Sequence, residues 1–495
     1  MNLTDPILRH ARMQPDAAAL IDGERTTTYS ALADIVIRTA GHLAALGVKR
    51  GDQVGLCLKD DWQHVVALLA VFRLGAVAVQ MDWRSRPAEQ ARITNAFALK
   101  LLIVVPARSF AAPCSSVAVD RAWDTCVAAA KPAADVPQDW QAPAAVLASS
   151  GTTGLPKFTL ATHLQLYLHS AGYREVVPAT RRHRCLITLP LYFSVGRTRS
   201  LAHLMRGDTL ILYPSLFTAA EFVEVVNRHK VTVSFVVPSV VRQLLPIAKE
   251  RKPLFPDLDV FACSGAPLFA DEKREALRSL SSKFHETYGN TAIATVSALR
   301  PEEIIERPTS VGRPLSLVDV EVVDDDDRPV GTETSGRLRC RGPGLTFPIP
   351  GLNDQSSAED FRDGWHYPGD VAALDEFGYI YLQGRTSEVI FRGGAKIFPT
   401  EVEAVLQGHE AVAEAAVIVS ASSDRQQELI AYVVARRELA PGELLAYCRT
   451  QLTAYKVPRD IHIVPELPRN STGKLDRRAV LQHDRAALIK ANNVK

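Results

Sequence analysis

The chain has 495 residues, of which 47% are hydrophobic and 23% charged, so it is too long for one ordinary core and too apolar to be disordered. Its formal charge of +2 balances 57 basic residues against 55 acidic ones, which excludes the basic footprint expected for binding to nucleic acid or to an anionic membrane. We expect a large domain with at least one smaller one, and a small ligand that is neutral or locally anionic.

The cysteines and the first residues indicate the compartment. Seven cysteines are scattered along the chain without a CxxC pair or metal-ligand spacing, a pattern that favours a reducing compartment. The opening stretch MNLTDPILRHARMQPDAAAL lacks the apolar core of a signal peptide, and the most hydrophobic run, VVALLAVF, stops at Arg73. We therefore expect neither export nor a membrane span, and predict a cytoplasmic protein.

The first 300 residues alternate between strand-like and helical patterns. Residues 52–58 are typical of a buried strand, residues 62–75 of a helix that ends at glycine, and residues 76–82 of a second strand, which together predict a βαβ unit. Further strand-like runs at 101–105, 209–213, 231–237 and 259–263 alternate with helical stretches at 219–229 and 271–281. The predicted fold class is α/β, with layered, mostly parallel sheets.

The pattern changes twice in the remaining chain. From about residue 305 to 385, short strands and tight turns predict an antiparallel sheet or small barrel that closes the large domain. Near residue 386 a separate α+β domain begins, in which Thr400 and Glu403 of TEVEAVLQ stand at capping-box spacing. The elements predicted after this helix are strands at 415–419, 428–435 and 461–464 and a helix at 442–453.

The stretch SSGTTGLPK at 149–157 combines hydroxyls, glycines and one lysine between an apolar strand and a helical pattern that begins near Thr162 or His163. Gly151 and Gly154 permit backbone conformations that aim consecutive N–H groups at one point, and such a nest can hold an anion. The hydroxyl donors are Ser149, Ser150, Thr152 and Thr153. Lys157 adds a positive charge suited to phosphate, but the spacing is not that of a P-loop. Alone, the stretch leaves a phosphate cradle and a solvated turn equally open.

Six motifs in order resemble those of the adenylate-forming superfamily, which contains acyl-CoA synthetases, peptide-synthetase adenylation domains and firefly luciferase. SSGTTGLPK is followed by SGAPL (264–268), ETYGNT (286–291), GWHYPGD (364–370), GRTSEVIFRGGAKIFPTEVE (384–403) and PRNSTGK (468–474). The resemblance spans nearly the whole chain and is greatest to an acyl-CoA synthetase. It implies that a carboxylate attacks the α-phosphate of ATP to give acyl-AMP and pyrophosphate, after which a thiol, usually of CoA, displaces AMP.

The resemblance also implies roles for individual residues in nucleotide binding. The 149–157 loop would hold the β- and γ-phosphates. Asp370 would accept hydrogen bonds from both ribose hydroxyls, with support from Arg385. Lys474 would bridge the substrate carboxylate and the α-phosphate. Tyr288 would stack on adenine, with a buried structural role as its alternative, and a solvated surface position is the alternative for Lys474. The remaining nucleotide-binding positions would be Gly265, Ala266 and Pro267 beside the adenine, Gly289 and Asn290 in the Tyr288 motif, and Thr291 on the α-phosphate.

Members of this superfamily rotate the C-terminal domain between the two half-reactions, so the resemblance implies a division of this chain. An N-terminal ATP- and acyl-binding domain would occupy 1–385, a hinge 386–388 and a mobile C-terminal domain 389–495. Ser387 matches the hinge position, and Gly393 with Gly394 would let the pantetheine arm of CoA pass close to the backbone.

One departure from the superfamily pattern concerns the metal. Ala292 stands where relatives carry the glutamate that helps to hold Mg²⁺, so no protein ligand is predicted for the metal. Magnesium would still accompany ATP, because the triphosphate carries about four negative charges that two lysines do not offset. The missing glutamate keeps open a second hypothesis, a degenerate protein that binds nucleotide or acyl groups without catalysis.

The stretch PLYFSVG at 190–196 resembles the segment that borders the acyl pocket in relatives. The candidate pocket residues are Tyr192, Phe193, Gly196, Val236, Val237 and Gly289, each with ordinary core packing as its alternative. Arg197 and Arg199 follow at once, and three interpretations stay open for them: pairing with a second carboxylate of the substrate, pairing with CoA phosphates, or a solvated helix face.

The predicted function is that of an acid–thiol ligase that uses ATP, Mg²⁺ and CoA to activate a small or aromatic carboxylic acid. The catalytic candidates are Lys474, Thr291 and Lys157. A stand-alone adenylation enzyme that loads the thiol of a carrier protein is the alternative enzyme.

Overall fold

The computed structural model describes residues 2–106, 113–134, 139–149, 157–214, 217–248, 253–349, 352, 360–392, 395–421, 427–469, 475–477 and 479–482. The predicted functional residues from Ser150 to Gly154, the pair Gly393 and Gly394, and Lys474 lie outside the described residues. Within the described ranges, no helix is long and apolar enough to cross a bilayer.

Helices and strands alternate over the first 300 residues. The first elements are α1 (Thr4–Met13), β1 (Ala18–Asp22), β2 (Arg25–Thr28), α2 (Tyr29–Ala45), β3 (Gln53–Cys57), α3 (Trp62–Leu74), β4 (Val77–Gln80), α4 (Pro87–Ala96), β5 (Leu99–Val104), β6 (Ser115–Ala118), α5 (Arg121–Ala129) and β7 (Pro143–Ser149). The next are β8 (Lys157–Thr162), α6 (His163–Gly172), β9 (Arg184–Ile187), α7 (Ser194–Arg206), β10 (Thr209–Leu212), α8 (Ala219–Arg228), β11 (Val233–Val236), α9 (Pro238–Ile247), β12 (Val260–Ser264), α10 (Ala270–Glu275), β13 (Phe284–Asn290), β14 (Ala294–Leu299), α11 (Pro301–Glu306) and β15 (Arg313–Pro314).

Later elements are shorter and mostly strands. They are β16 (Asp319–Val323), β17 (Gly336–Arg341), β18 (Phe347–Pro348), β19 (Phe361–Arg362), β20 (Trp365–His366), β21 (Asp370–Leu374), β22 (Ile380–Arg385), β23 (Ile390–Arg392), β24 (Ala395–Ile397), α12 (Pro399–Gln407), β25 (Val412–Ala421), β26 (Gln427–Ala435), α13 (Pro441–Gln451) and β27 (Asp460–Ile463).

Two large sheets form the N-terminal part, and most of their strand pairs are parallel, as predicted. The strand order is β18-β8-β7-β4-β3-β5-β6 in one sheet and β15-β14-β13-β12-β11-β9-β10-β1-β2 in the other. Helix α3 packs against both sheets: every residue from 64 to 74 is buried, and its apolar side chains share one core with Leu56 of β3 and Phe235 of β11. The predicted βαβ unit of β3, α3 and β4 is confirmed by the parallel pairing of its two strands.

The connection around Lys157 differs from the prediction of a loop between a strand and a helix. Lys157 begins β8, which runs antiparallel to β7 with Ser149 opposite Lys157. Helix α6 begins at His163, as predicted, behind a capping box formed by Thr162 and Gln165. The short segment 157–162 is a strand because β7 and β18 pair with it on both edges, and these tertiary partners are invisible in a local pattern.

The antiparallel sheet expected after residue 305 is confirmed. Its strands β19, β20, β17, β21 and β22 lie in that order, β16 pairs with β17, and all these pairs are antiparallel. The C-terminal residues form the expected α+β unit, in which β25, β26 and β27 make a sheet whose core includes Val402 of α12 and Leu444 of α13.

The capping box predicted at Thr400 and Glu403 is wrong. Helix α12 begins at Pro399, so Thr400 lies within its first turn and its hydroxyl donates to the carbonyl of Gln383. Glu403 is buried and is held instead by Arg477, whose Nη2 lies 2.9 Å from Glu403 Oε2, and by the N–H of Val417 at 2.7 Å. Glu403 therefore fastens the C-terminal segment onto the sheet of this domain.

Replacing Arg477 with methionine should loosen the C-terminal domain, because it leaves the buried Glu403 carboxylate without its counter-ion, a change that costs about 3 kcal/mol. Hydrogen–deuterium exchange of the full chain should show faster exchange in β25 and β26. Arg437→Met is the control: Arg437 pairs with the exposed Glu410, and such surface pairs contribute less than about 1 kcal/mol. Equal exchange in the two variants would contradict the assigned role of Arg477.

Candidate active site

Asp370 lies where the nine-stranded sheet and the antiparallel sheet meet, because Tyr288 of β13 and Arg385 of β22 both contact it. It is the first residue of β21 and pairs across the ladder with Arg385 at the end of β22. The Arg385 Nε lies 3.1 Å from Asp370 Oδ1, and Arg385 Nη1 donates to the carbonyl of Pro368 at 2.6 Å. Gly369, at φ +79°, provides the turn that brings this arginine and Asp370 together. The carboxylate is thus fixed by backbone and side chain alike.

Tyr288 connects this carboxylate to the large sheet. It lies near the end of β13, and its hydroxyl donates to Asp370 Oδ2 at 2.5 Å. Burial and the neighbouring carboxylate both raise the pKa of Tyr288 well above its usual value, so the phenol keeps its proton and remains a donor. One Asp370 oxygen therefore accepts from Tyr288 and the other faces Arg385, while about 13% of the Asp370 side chain stays exposed.

Gly265, Ala266 and Pro267 follow the end of β12, the strand that pairs with β13, which carries Tyr288. The last residue of β12, Ser264, pairs with Thr287 of β13 and donates to the Thr287 carbonyl at 2.7 Å. Gly265 is exposed at φ +99°, a conformation open to glycine. The carboxyl ends of parallel strands are where open α/β sheets bind ligands.

A tight hairpin between β13 and β14 positions Thr291. Gly289 is required there, because a Cβ atom would lie 1.9 Å from the carbonyl oxygen of Ala294. The Asn290 Oδ1 accepts hydrogen bonds from the N–H groups of Ala292 at 3.0 Å and Ile293 at 3.2 Å. Asn290 therefore shapes the turn through its own side chain, and Thr291 is left half-buried at the turn.

Ala292 turns its methyl group inward. The residue is 3% exposed and packs in an apolar cluster with Ile293 and Leu338. No group of three or more His, Cys, Asp or Glu side chains able to hold a metal occurs in the ranges that the structure describes. The donor set at this turn therefore does not fit a protein-held metal ion.

Lys157 lies at the start of β8 in the seven-stranded sheet, and its ammonium group is paired with Asp360. About 37% of the Lys157 side chain is exposed, so the ammonium can reach a ligand. His366 lies nearby and is buried, and burial lowers its pKa to about 4, so it is neutral at pH 7. The positive charges of Lys157 and Arg385 also lower the pKa of His366.

The predicted acyl-pocket residues fall into two groups. The rings of Tyr192 and the half-buried Phe193 lie 4.4 Å apart between centroids and are tilted by 38°, and Val237 is half-buried at the N-cap of α9. Val236, in contrast, is fully buried in the core, and at Gly196 a Cβ atom would lie 2.3 Å from the Pro190 carbonyl oxygen. Gly196 thus allows α7 to pack closely on the preceding segment.

Two residues near Tyr192 were missed by the sequence reasoning. The Tyr192 hydroxyl donates to Asp82 Oδ2 at 2.8 Å and accepts from Arg84 Nη2 at 3.0 Å. Asp82 and Arg84 follow β4, a parallel strand, so the rule that ligands bind beyond the carboxyl ends of such strands could have singled them out. Asp360, the partner of Lys157, carried no comparable signal.

The interpretation of Arg197 and Arg199 as a solvated helix face is wrong. Only 1% of Arg197 and 5% of Arg199 are exposed. Helix α7 is buried on nearly all sides although it carries arginine, threonine, serine and histidine side chains. The two interpretations in which these arginines bind an anion remain.

Two family models match the chain. The model described as AMP-binding enzyme matches residues 7–347, and the model of the AMP-binding enzyme C-terminal domain matches residues 401–474. A 2-succinylbenzoate–CoA ligase of Bacillus licheniformis is 30% identical over 487 residues, which cover 95% of this chain and 97% of the relative. A feruloyl-CoA synthase of an Amycolatopsis species is 30% identical over 476 residues, which cover 94% and 96%.

A solved structure of o-succinylbenzoate CoA synthetase from Bacillus subtilis, in complex with its acyl-adenylate intermediate, has a TM-score of 0.85 and 26% identity, covering 96% of this chain and 97% of that one. The same enzyme in complex with ATP and a magnesium ion has a TM-score of 0.83, with 95% and 98% covered. The resemblance predicted from the ordered motifs is confirmed, and the chain belongs to the AMP-binding enzyme family.

Proposed function

We propose that this AMP-binding enzyme is an acid–thiol ligase, which joins a carboxylic acid to ATP as acyl-AMP, releases pyrophosphate, and then transfers the acyl group to CoA. The observation that carries the proposal is the fixed Asp370, Tyr288 and Arg385 cluster in a chain that matches CoA ligases along about 95% of its length. The acid carboxylate is already ionised at neutral pH, so its attack on the α-phosphate needs no general base. Catalysis then consists of positioning and charge neutralisation.

The geometry around Asp370 supports its role as the ribose site. About 13% of the Asp370 side chain is exposed beside its contacts with Tyr288 and Arg385. A carboxylate is an acceptor with about four lone-pair positions, so its exposed edge would accept hydrogen bonds from the two ribose hydroxyls. The ring of Tyr288, beside Gly265, would then contact the adenine base, with Ala266 and Pro267 at its edge.

The phosphate end of the site rests on residues of two domains. Lys157 would approach the outer phosphates together with the 149–156 loop, and Thr291 would donate to the α-phosphate. Lys474 would bridge the acid and the α-phosphate.

Magnesium would arrive on ATP and be held by phosphate oxygens and water. The buried methyl group of Ala292 supports this arrangement, since the turn at 290–293 supplies no carboxylate. The metal would offset part of the triphosphate charge, while Lys157 and Thr291 orient the chain of phosphates.

The two half-reactions would be separated by rotation about residues 386–388. Ser387 lies in a 3₁₀ turn, Thr386–Glu388, between β22 and β23. The C-terminal domain would carry Lys474 to the site for adenylation, and Gly393 with Gly394 for thiol attack. A cytoplasmic location fits this chemistry and is supported by the seven cysteines, all of which are free thiols.

The decisive experiment is ATP–pyrophosphate exchange over a panel of small aliphatic and aromatic acids, followed by addition of CoA. We expect Mg²⁺-dependent exchange with one class of acid and a CoA thioester afterwards. Exchange without a CoA thioester, but with acylation of a carrier protein, would assign the enzyme to carrier loading. Absence of exchange with every acid would leave only a non-catalytic binding protein.

Tyr288→Phe tests the nucleotide site, because it keeps the ring and removes the hydroxyl that donates to Asp370. Loss of a hydrogen bond to a charged group costs about 1.5 kcal/mol, so the KM for ATP should rise about tenfold with little change in kcat. Tyr379→Phe is a matched control, since Tyr379 also donates to a carboxylate, Glu303 at 2.9 Å, away from the site. An equal KM for ATP in both variants would refute the assignment.

Lys474→Ala tests the division of roles between the half-reactions. We expect acyl-AMP formation to be lost while thioester formation from supplied acyl-AMP is largely retained, because the lysine charge is needed only when charge develops at the α-phosphate. Lys100→Ala, on an exposed position of β5, serves as the control. Equal loss of both half-reactions in folded Lys474→Ala protein would contradict the separation.

A further inference from the structure

The polar side chains of α7 divide into two sets along the helix. Towards its end, His203 and Arg206 both contact the buried Asp208, with His203 Nδ1 at 2.7 Å and Arg206 Nε at 3.3 Å from Asp208 Oδ2. Towards its beginning, no ion pair joins Arg197 or Arg199 to any carboxylate of the described chain. The same helix therefore holds one neutralised cation and two that lack a counter-ion.

One edge of the Arg197 guanidinium group has no hydrogen-bond partner among the described residues. Its Nη1 donates to Gln80 Oε1 at 2.5 Å. Its Nε and Nη2 are buried and meet no hydrogen-bond acceptor in the described ranges. The N–H bonds of Nε and Nη2 point the same way, and this edge is the one that receives the two oxygens of a carboxylate.

Among the residues that the structure describes, the neighbours of Arg197 supply no negative charge. Gln80 is held in place by His64, whose Nε2 lies 3.1 Å from Gln80 Nε2. His64 and His169 are both buried, and burial lowers the pKa of each to about 4, so both are neutral at pH 7. A buried charge without a partner is strongly unfavourable, and the local side chains leave that penalty uncompensated.

Arg199 is better accommodated than Arg197. Its guanidinium lies 3.8 Å from the ring centre of Tyr173 and 4.6 Å from that of Phe235, and its Nη2 donates to Thr295 Oγ1 at 3.0 Å. Such aromatic contacts stabilise a cation. Arg199 therefore adds positive potential beside Arg197, and Arg197 is the group that an anion would contact.

The position of both arginines relates them to the predicted acyl pocket. The N–H of Arg197 donates to the carbonyl of Phe193 at 3.1 Å, so Arg197 follows Phe193 by one helical turn. Thr295, the partner of Arg199, lies opposite Gly289 in the β13–β14 hairpin. The first turn of α7 contains no acidic residue, and its cap, Phe193, makes no side-chain hydrogen bond. Arg197 therefore lies one helical turn beyond Phe193, a candidate residue of the acyl pocket.

Resting on the proposed function, we propose that the acid substrate is a dicarboxylic acid, whose second carboxylate pairs with the Nε and Nη2 edge of Arg197 while the first is adenylated. A CoA phosphate does not fit this position, because Arg197 is 1% exposed and a phosphate on a large hydrophilic chain would have to enter the core. A carboxylate carried on the acyl group enters with the substrate. The matching monoacid would leave the guanidinium unpaired, and sites of this kind reject such analogues strongly.

The test compares acids in matched pairs, in which a methyl group replaces one carboxylate. The aromatic pairs are the three benzenedicarboxylates, each against its methylbenzoate, such as terephthalate against 4-methylbenzoate. The aliphatic pairs are straight-chain diacids of three to eight carbons, each against the monoacid of equal length. In ATP–pyrophosphate exchange, the wild-type enzyme should favour the diacid of at least one pair by about 100-fold or more in kcat/KM. Arg197→Met should remove that preference by lowering kcat/KM for the diacid alone. Arg206→Met, which removes a paired arginine of the same helix, should leave the ratio unchanged.

Thermal unfolding without substrate gives a second readout. Arg197→Met should not lower Tm, because it removes a buried charge that has no counter-ion among the described residues. Arg206→Met should lower Tm by several degrees, because it removes the arginine that pairs with the buried Asp208 and leaves only His203 beside that carboxylate. The inference would be overturned if the enzyme prefers monoacids and Arg197→Met does not alter that preference. It would also be overturned if Arg197→Met lowers Tm as much as Arg206→Met does. In either case, exchange with any acid would still support the ligase function. Absence of exchange with every acid would overturn both.

Discussion

The carboxylate of Asp370 is the point on which the arrangement of the site depends. It receives the Tyr288 hydroxyl from the large sheet and faces the Arg385 guanidinium at the end of the antiparallel sheet. The turn at Gly369 and the ladder between β21 and β22 fix its backbone before any ligand is present. A polar group held in this way loses little freedom when a ligand binds, which is the physical basis of preorganisation. The same few residues also connect the N-terminal sheets to the chain that enters the C-terminal domain.

Buried cations in this protein are treated in two ways. Arg477 pairs with Glu403, Arg206 with Asp208 and Lys273 with Glu286. The first pair joins the C-terminal segment to α12, and the third joins α10 to β13. Arg197 is 1% exposed and meets no such carboxylate among the residues that the structure describes. Residues that lower stability without a local compensation are expected at functional sites. The contrast therefore separates side chains that hold the fold together from one that awaits a ligand.

Local patterns were enough to predict the parallel strands around α3, because an apolar run bounded by Asp61 and Gly75 has few alternatives. The errors arose where a distant partner decides the structure. Thr400 and Glu403 have the spacing of a capping box, but Pro399 begins the helix and Arg477 takes the glutamate. The burial of Arg197 could not be predicted either, since a sequence pattern with arginines on a helix indicates solvent unless the surrounding sheets are known. The Asp82 to Tyr192 contact joins residues 110 positions apart, beyond the reach of any local motif.

The electrostatics of the proposed site connect these observations. The triphosphate carries about four negative charges, and the turn that holds Ala292 adds no carboxylate to them. Lys157 and Arg385 contribute positive charge at the nucleotide end, although each already contacts a carboxylate, Asp360 or Asp370. At the other end, Arg197 has no such partner within the described chain, so an anionic group gains more there than at any position already neutralised. Selection of the acid would then depend on the charge at its far end as much as on its shape, because leaving a buried guanidinium unpaired is a larger penalty than an imperfect apolar contact.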